Sequence, residues 1–214
     1  MTHTLSEHES KQLLAEHGIP VPPERLAASR QEAVRAASEL GHPVVAKLCG
    51  RGIAHKSERN LVHLDLRDDD AVGRAADELL AARRLGEEDA RVLIQPMAHG
   101  RRELIAGLVR DDQFGPCVMI GLGGIFAEAL EDVAFAVAPL QPGDAADLIA
   151  ALEHRKILDA FRGEPAADIA ELCRILESLG RIGMERKDVA SVDLNPLVID
   201  EGRPVVVDAL VELR

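Results

Sequence analysis

His55 stands beside Lys56 in the run GRGIAHKSERN, residues 50–60, which follows the strand-like run PVVAKL. A neutral imidazole is a nucleophile near pH 7, so a histidine at this place could accept and release a phosphoryl group. The other seven histidines show no metal-ligand spacing. His55 could equally be a polar loop residue, and its neighbours alone do not decide between the two interpretations.

Lys47 lies inside the apolar run that precedes this loop. A buried ammonium group is costly unless an anion pairs with it, so we expect Lys47 to have an anionic partner. That partner could be a structural carboxylate or a nucleotide phosphate. A glycine cluster elsewhere in the chain favours the phosphate.

The glycine cluster consists of Gly121, Gly123 and Gly124, at the end of a strand-like run in the segment GLGGIFAEALED. Such glycines can present backbone N–H groups to an anion, or they can only supply a left-handed turn. The spacing fits neither a P-loop nor the dinucleotide-binding fingerprint. Glu128 and Asp132 follow, four residues apart, and would share one face if this segment is a helix. The alternative is that the face they share is an ordinary solvent-exposed one.

Asn195 and Asp208 stand in DLNPL and VVVDAL, two runs that the turn-forming EGRP separates. On consecutive strands of one hairpin, an amide carbonyl and a carboxylate come together in a way that suits Mg²⁺. The alternative is that Asn195 only shapes an Asn-Pro turn.

Helix and strand signals mix along all 214 residues. Capping-box pairs begin two helices, Ser6 with Glu9 and Ser29 with Glu32. A third helix is predicted over DDDAVGRAADELLAARRLG, with acids in its first turn and Arg83 and Arg84 in its last. Strand-like runs include LVHLDL, RVLIQPM, RELIAGLVRD and a final hairpin of SVDLNPLVID with VVVDALVEL. The pattern predicts an α/β or α+β protein of two lobes, residues 1–90 and 91–214.

Composition excludes several classes of function. The chain has 25 basic and 37 acidic side chains, a net charge of −12, four Phe and no Tyr or Trp. This charge disfavours a polyanion-binding surface, and stacking platforms for single-stranded nucleic acid are missing. No window reaches the roughly 18 apolar residues of a membrane span, and the polar N-terminus is unlike a signal peptide. We therefore expect a cytoplasmic protein that binds neither nucleic acid nor membrane.

Taken in order, these segments resemble the ATP-grasp subunits of ADP-forming acyl-CoA synthetases, of which the acetate–CoA ligase (ADP-forming) beta chain is one. The resemblance covers nearly the whole chain, through LLAEHGIPVP, PVVAKL, IAHKS, VLIQPM, RELIAGLVRDDQFGPCVMIGLGGIFAEALED, APL, FRGEPAADI and DLNPLVI. Succinyl-CoA synthetase beta chains are more distantly similar. The resemblance implies an ATP-grasp fold of two lobes with the nucleotide bound between them.

The resemblance also implies a role for each candidate residue. His55 would carry the phosphoryl group, and Glu128 and Asp132 would orient or stabilise the phosphohistidine. Nucleotide contacts would come from Lys47, Lys56, Gln95, Met97, Glu103, Gly123 and Gly124. Asn195 and Asp208 would hold Mg²⁺, by analogy with the hairpin of succinyl-CoA synthetase.

In that family a CoA-binding alpha subunit makes an acyl phosphate and takes its phosphoryl group onto a mobile histidine. The resemblance implies that His55 accepts this group and passes it to ADP, and that the two chains assemble as α2β2. The protein's main tasks are then in-line positioning and charge neutralisation. No CoA-binding domain is recognisable in this sequence, so we expect that the chain does not complete the reaction alone.

Four positions depart from the family pattern. Asn60 and Leu61 replace two glycines after the histidine motif, Ala136 replaces a common arginine, and Ser191 replaces an acid. Each change is expected to weaken a contact near the phosphoryl path. Two alternatives therefore stand beside the main interpretation: a carboxylate–amine ligase of the ATP-grasp class, which would not need His55, and a degenerate nucleotide-binding regulatory subunit.

Overall fold

The computed structural model describes residues 3–53, 56, 59–124 and 130–214, so the predictions for His55 and Glu128 lie outside the described residues. All strand pairs among the described residues are antiparallel, and they form one seven-stranded and one four-stranded sheet. The predicted mixture of helices and strands is confirmed. The division into lobes at residue 90 stays a prediction.

Two compact units make up the chain. The four-stranded unit comprises Leu5–Glu9 and Pro22–Met97. The seven-stranded unit comprises Ser10–Val21 and Ala98–Arg214, together with the first described residues, His3 and Thr4.

The chain begins with strand β1 (His3–Thr4) and helix α1 (Glu7–Glu16). The predicted capping box starts α1, because the Ser6 N–H donates to Glu9 Oε2 at 2.9 Å and the Glu9 N–H donates to Ser6 Oγ at 3.2 Å. Reciprocal bonds of this kind satisfy backbone donors that the first helical turn leaves without partners.

The four-stranded unit continues with β2 (Arg25–Ala27), α2 (Arg30–Leu40), β3 (Val44–Cys49), β4 (Val62–Leu66), α3 (Asp69–Ala81) and β5 (Arg91–Pro96). Its sheet has the order β2-β5-β3-β4, and α2 and α3 pack against each other and on the sheet. Both helices turn alanines into the core, and their small side chains allow close packing on the β-branched residues of β3 and β5.

Helix α3 ends earlier than the sequence indicated. Arg83 and Arg84 lie beyond its last residue, Ala81, so the prediction that they occupy the last turn is wrong. The reason lies in competing side-chain partners: the Arg84 N–H donates to the Glu87 carboxylate at 2.9 Å instead of continuing the helix. Arg83 still serves the helix end, since its Nε donates to the Leu80 carbonyl at 2.8 Å.

The seven-stranded unit continues with β6 (Arg102–Asp111), β7 (Gly115–Leu122), β8 (Val133–Val137), α4 (Asp144–Ala151), a 3₁₀ helix (Arg155–Leu158), α5 (Ile169–Glu185), β9 (Val189–Asp200), β10 (Arg203–Val206) and β11 (Ala209–Leu213). The sheet order is β1-β11-β9-β6-β7-β8, and β10 pairs with β9. Helix α5 packs on β6, β7 and β9, whereas α4 packs on β7 and β8.

One face of this sheet is the buried one. Its central row runs across five strands from Ala136 through Val118, Leu108 and Val192 to Val211. The last four of these side chains are at most 2% exposed. This face therefore forms the core against α4 and α5.

The opposite face carries a different row, from Phe135 through Met119, Gly107 and Asp193 to Leu210. Phe135 is 60% exposed. Because directly paired residues point to the same face, the apolar edge at β8 and the acidic group at β9 share one side of the sheet.

The final hairpin differs from the prediction in one respect. The run VVVDALVEL is not one strand but two, β10 and β11, which pair with different parts of β9. The interruption falls at Val207 and Asp208. The Val207 N–H donates to the Pro196 carbonyl at 3.2 Å, but Pro196 has no N–H with which to continue the ladder.

Among the described residues, no helix is both long enough and apolar enough to cross a membrane.

Candidate functional site

Lys47 is 5% exposed in β3, and its Nζ lies 2.7 Å from Oε1 of Glu7. Lys56 forms an ion pair with the other oxygen of the same carboxylate. Glu7 is itself only 4% exposed, so one buried acid holds two lysines together. The structural carboxylate that the sequence left open as a partner of Lys47 is therefore present, and the phosphate role of both lysines stays a prediction.

A second ion pair lies next to this cluster on α1. The Arg51 Nε donates to Glu9 Oε1 at 3.0 Å, and this bond lowers the pKa of Glu9 to about 2. Arg51, Lys47 and Lys56 thus place three cationic groups around the start of α1. All three lie in the segment that contains or flanks the predicted phosphoryl loop.

Asn60 and Leu61 end that loop in a defined conformation. Asn60 has φ +55, in the left-handed region that Asn tolerates better than most non-glycine residues. Leu61 is 1% exposed in the core, and its N–H donates to the Lys56 carbonyl at 2.9 Å. The two departures from the glycine pattern are therefore accommodated by this backbone, and Leu61 anchors the loop end.

Gln95 and Met97, predicted to lie near adenine, are at the end of β5. Gln95 is 1% exposed, and the Met97 N–H donates to the Pro43 carbonyl at 3.1 Å. Since Pro96 has no N–H and the Met97 N–H is engaged, a backbone hydrogen bond from either residue to adenine would have to use a carbonyl oxygen. The adenine role stays a prediction.

Gly123 and Gly124 lie against the Glu103 backbone and side chain. The Gly123 N–H donates to the Glu103 carbonyl at 2.8 Å, and a Cβ on Gly123 would come within 3.0 Å of the β6 backbone. Gly124 has φ +68, and a Cβ there would lie 3.1 Å from Glu103 Oε2. Close approach and left-handed φ thus both require glycine here. An anion-binding role for Gly123 would need its present hydrogen bond to open.

Asp132 lies just before β8 and is 7% exposed. Its oxygens accept the backbone N–H groups of Glu153 at 2.9 Å and of His154 at 2.8 Å. The His154 Nδ1 is 3.1 Å from Oδ2 of the same carboxylate. Desolvation favours the neutral acid, but these donors outweigh it and the pKa of Asp132 lies below its usual value.

A cavity of about 740 Å³ in the seven-stranded unit brings several of these residues together. Its lining includes three predicted nucleotide-binding residues, Glu103, Gly123 and Gly124, and also Arg101 and His154, which sequence reasoning did not single out.

The predicted metal ligands are adjacent. The N–H of Asn195, in β9, donates to the carbonyl of Asp208, between β10 and β11, at 3.3 Å. Asp193, two residues before Asn195, shares its side of β9. Desolvation raises the pKa of Asp193, and the nearby Asp208 carboxylate raises it further.

Two carboxylates and an amide oxygen at this place are hard oxygen ligands of the kind that Mg²⁺ prefers. Among the described residues, no group of three or more His, Cys, Asp and Glu side chains is arranged to hold a metal ion, so any bound cation would depend on Asn195, water or substrate oxygens as well. Asp193 was not predicted as a metal-site residue. It is two positions from Asn195 on a predicted strand, and this spacing indicates that the two side chains share a face.

Ser191 and Ala136, the other two departures, are also placed by the sheet. The Ser191 hydroxyl donates to Glu212 Oε2 at 3.0 Å, so an acid at position 191 would face a like charge. Ala136 pairs with Val118 on the helix-covered face, the face opposite Asp193. Whether either change weakens a phosphoryl contact stays a prediction.

Comparison with known proteins gives a consistent result. The model of the ATP-grasp domain family matches residues 1–213. The acetate–CoA ligase [ADP-forming] I subunit beta of Pyrococcus furiosus is 38% identical over 208 residues, which cover 96% of this chain and 90% of that protein.

Solved structures agree. The Ca. Korarchaeum cryptofilum dinucleotide forming acetyl-coenzyme A synthetase 1, in complex with coenzyme A, Ca-AMPCP and HgCl+, matches with a TM-score of 0.92 and 41% identity over 99% of this chain and 94% of that one. A second structure of that protein contains coenzyme A and Mg-AMPPCP, and its phosphohistidine segment is described as pointing towards the nucleotide binding site. It matches with a TM-score of 0.83 and 41% identity, over 97% of this chain and 92% of that one. The expected ATP-grasp fold is thereby confirmed.

Proposed function

Because the chain belongs to the ATP-grasp family, and within it to the beta subunits of ADP-forming acetate–CoA ligases, we propose that it binds ATP or ADP with Mg²⁺ and transfers a phosphoryl group between the nucleotide and His55. The chain is thus one part of an acid–thiol ligase.

The observation that carries the proposal is the grouping at β9, where Asp193, Asn195 and Asp208 meet. Burial and the nearby Asp208 carboxylate raise the pKa of Asp193, and a divalent cation bound between the two carboxylates would relieve their repulsion. The donor set fits Mg²⁺, which when bound would neutralise charge on the nucleotide phosphates. Asn195 and Asp208 would hold the cation, and Asp193 would complete the acidic surroundings.

The basic residues of the four-stranded unit have the complementary task. Lys47 and Lys56, oriented by Glu7, would bind phosphate oxygens, and the oxygens of a polyphosphate would share these cations with the carboxylate. Positioning and charge neutralisation are the main catalytic contributions that a phosphoryl transfer needs. His55 would attack phosphorus with a ring nitrogen, and the leaving oxygen would keep the electron pair of the broken P–O bond.

A partner supplies the rest of the reaction. The Pyrococcus relative is named as a subunit beta, which implies a second subunit in that enzyme. The Korarchaeum structures contain coenzyme A and a phosphohistidine segment. By analogy, this chain would work in the cytoplasm with a CoA-binding alpha subunit, in an α2β2 assembly, that forms the acyl phosphate and delivers the phosphoryl group.

The geometry favours a working subunit over a degenerate one. Asn60 takes the left-handed backbone conformation that is also available to glycine. The Ser191 hydroxyl donates a hydrogen bond to the Glu212 carboxylate. Each of these two departures is thus accommodated at its position, by a backbone conformation that Asn tolerates and by a hydrogen-bond partner.

The test is ATP formation from acyl-CoA, phosphate and ADP by the purified chain mixed with a CoA-binding alpha subunit from the same genome. We expect ATP from the mixture and none from either chain alone. Amide formation from a carboxylate and an amine, unaffected by His55→Ala, would instead identify a carboxylate–amine ligase.

A further inference from the structure

His154 and Asp132 form a pair that the proposed function does not yet use. The pair joins two segments distant in sequence, the residue before β8 and the residue before the 3₁₀ helix. Asp132 also accepts the backbone N–H groups of Glu153 and His154, so the backbone that carries the imidazole is fixed as well as the ring.

The hydrogen bond sets the chemistry of the ring. Asp132 has a lowered pKa and is ionised near neutral pH, so it only accepts hydrogen bonds. The His154 Nδ1 must therefore carry a hydrogen, and Nε2 is the atom left for another partner. Among the described residues no hydrogen bond to Nε2 is found, and the side chain is 48% exposed. To bind an anion through Nε2, the ring would have to carry a second hydrogen there, and the Asp132 carboxylate would then face the doubly protonated ring as its counter-charge.

The surroundings point to a phosphoryl group as that anion. His154 and Arg101 contribute the two basic side chains to a cavity of about 740 Å³ that is also lined by Glu103 and by Gly124. Because Gly124 has no side chain, a ligand can approach the backbone closely there. The Glu103 carboxylate can accept a hydrogen bond from a hydroxyl or pair with a cation.

We propose that His154 binds the terminal phosphoryl group of the nucleotide through Nε2, and that Asp132 is the positioning residue that orients the ring. This inference rests on the proposed function, since it assumes that the chain binds a nucleotide. It also gives Asp132 a role through His154 that differs from direct contact with a phosphohistidine.

The test is calorimetric titration of the full chain with ATP, ADP and AMP in the presence of Mg²⁺, for wild type and His154→Gln. Loss of a hydrogen bond to a charged group should weaken ATP binding about tenfold or more, while AMP binding stays unchanged. Asp132→Asn should weaken ATP binding in the same selective way, with the fold checked by thermal unfolding.

His8→Gln is the matched control, because His8 also pairs with a carboxylate, that of Glu24 at 2.6 Å, but in the four-stranded unit. It should bind all three nucleotides like wild type. Equal ATP affinity in wild type and His154→Gln would overturn the inference and leave the proposed function standing, as would an equal loss of ATP and AMP binding. Absence of ATP binding by wild type would overturn the proposed function itself.

Discussion

Glu7 is the residue on which both lysines of the candidate site depend. Its side chain is 2% exposed, and the side chains of Lys47 and Lys56 are 6% and 11% exposed. Glu7→Gln removes the buried carboxylate that pairs with both lysines, so it should lower the free energy of unfolding by about 3–5 kcal/mol. Urea unfolding measures this loss.

Glu9→Gln, two residues along the same helix, is the control. The Glu9 side chain is 32% exposed and its partner Arg51 is 69% exposed, so this change should cost less than about 1 kcal/mol. Equal losses in the two variants would show that Glu7 does not compensate the lysines.

Glu87 should make stability depend on pH. Its bond to Arg59, with Nη1 and Oε1 2.7 Å apart, lowers the pKa of Glu87 from 4.5 to about 2. A depressed carboxylate pKa stabilises the fold above pH 4.5, and this contribution is lost as the pH falls from there to about 2. The stability difference between wild type and Glu87→Gln should therefore shrink below pH 4.5. A difference that stays constant between pH 7 and pH 3 would contradict the assignment.

At the scale of elements, the two faces of the seven-stranded sheet should respond differently to truncation. Ile120 of β7 is fully buried, whereas Phe135 of β8 is 60% exposed on the other face. Ile120→Ala should cost about 2–5 kcal/mol through lost burial and a cavity. Phe135→Ala should change stability by about 0.5 kcal/mol or less, because a surface side chain loses little packing. Denaturation of both variants checks this, and a similar loss in each would mean that the face at Phe135 is covered.

Local rules in the sequence predicted where most elements begin. The starts of α1 and α2 follow from capping residues three positions apart, and the strands β3 to β7 follow from the apolar runs themselves. The end of α3 and the break between β10 and β11 could not be found in that way. The first depends on Glu87 competing for an N–H, and the second depends on Pro196, which lies opposite Val207 and has no N–H to donate.

At the scale of the whole molecule, the candidate site likewise combines residues that the sequence indicates with residues that only tertiary contacts reveal. The family resemblance placed Asn195 and Asp208, and the fold brings them together. His154 was not singled out from the sequence because its partner, Asp132, is 22 residues away and only tertiary structure joins them. A sequence pattern reports contacts along one element, and contacts between elements need the fold.

The most direct test of His55 as the phosphoryl carrier is phosphorylation of the chain by ATP with a radioactive γ-phosphate, in the presence of Mg²⁺, for wild type and His55→Ala. If the isolated chains take no label, the CoA-binding alpha subunit and acyl-CoA are added. We predict an acid-labile, base-stable label on the wild-type chain and none on His55→Ala. An equally strong label on this chain in His55→Ala, or ATP binding without any label even with the partner present, would contradict the claim that His55 carries the phosphoryl group.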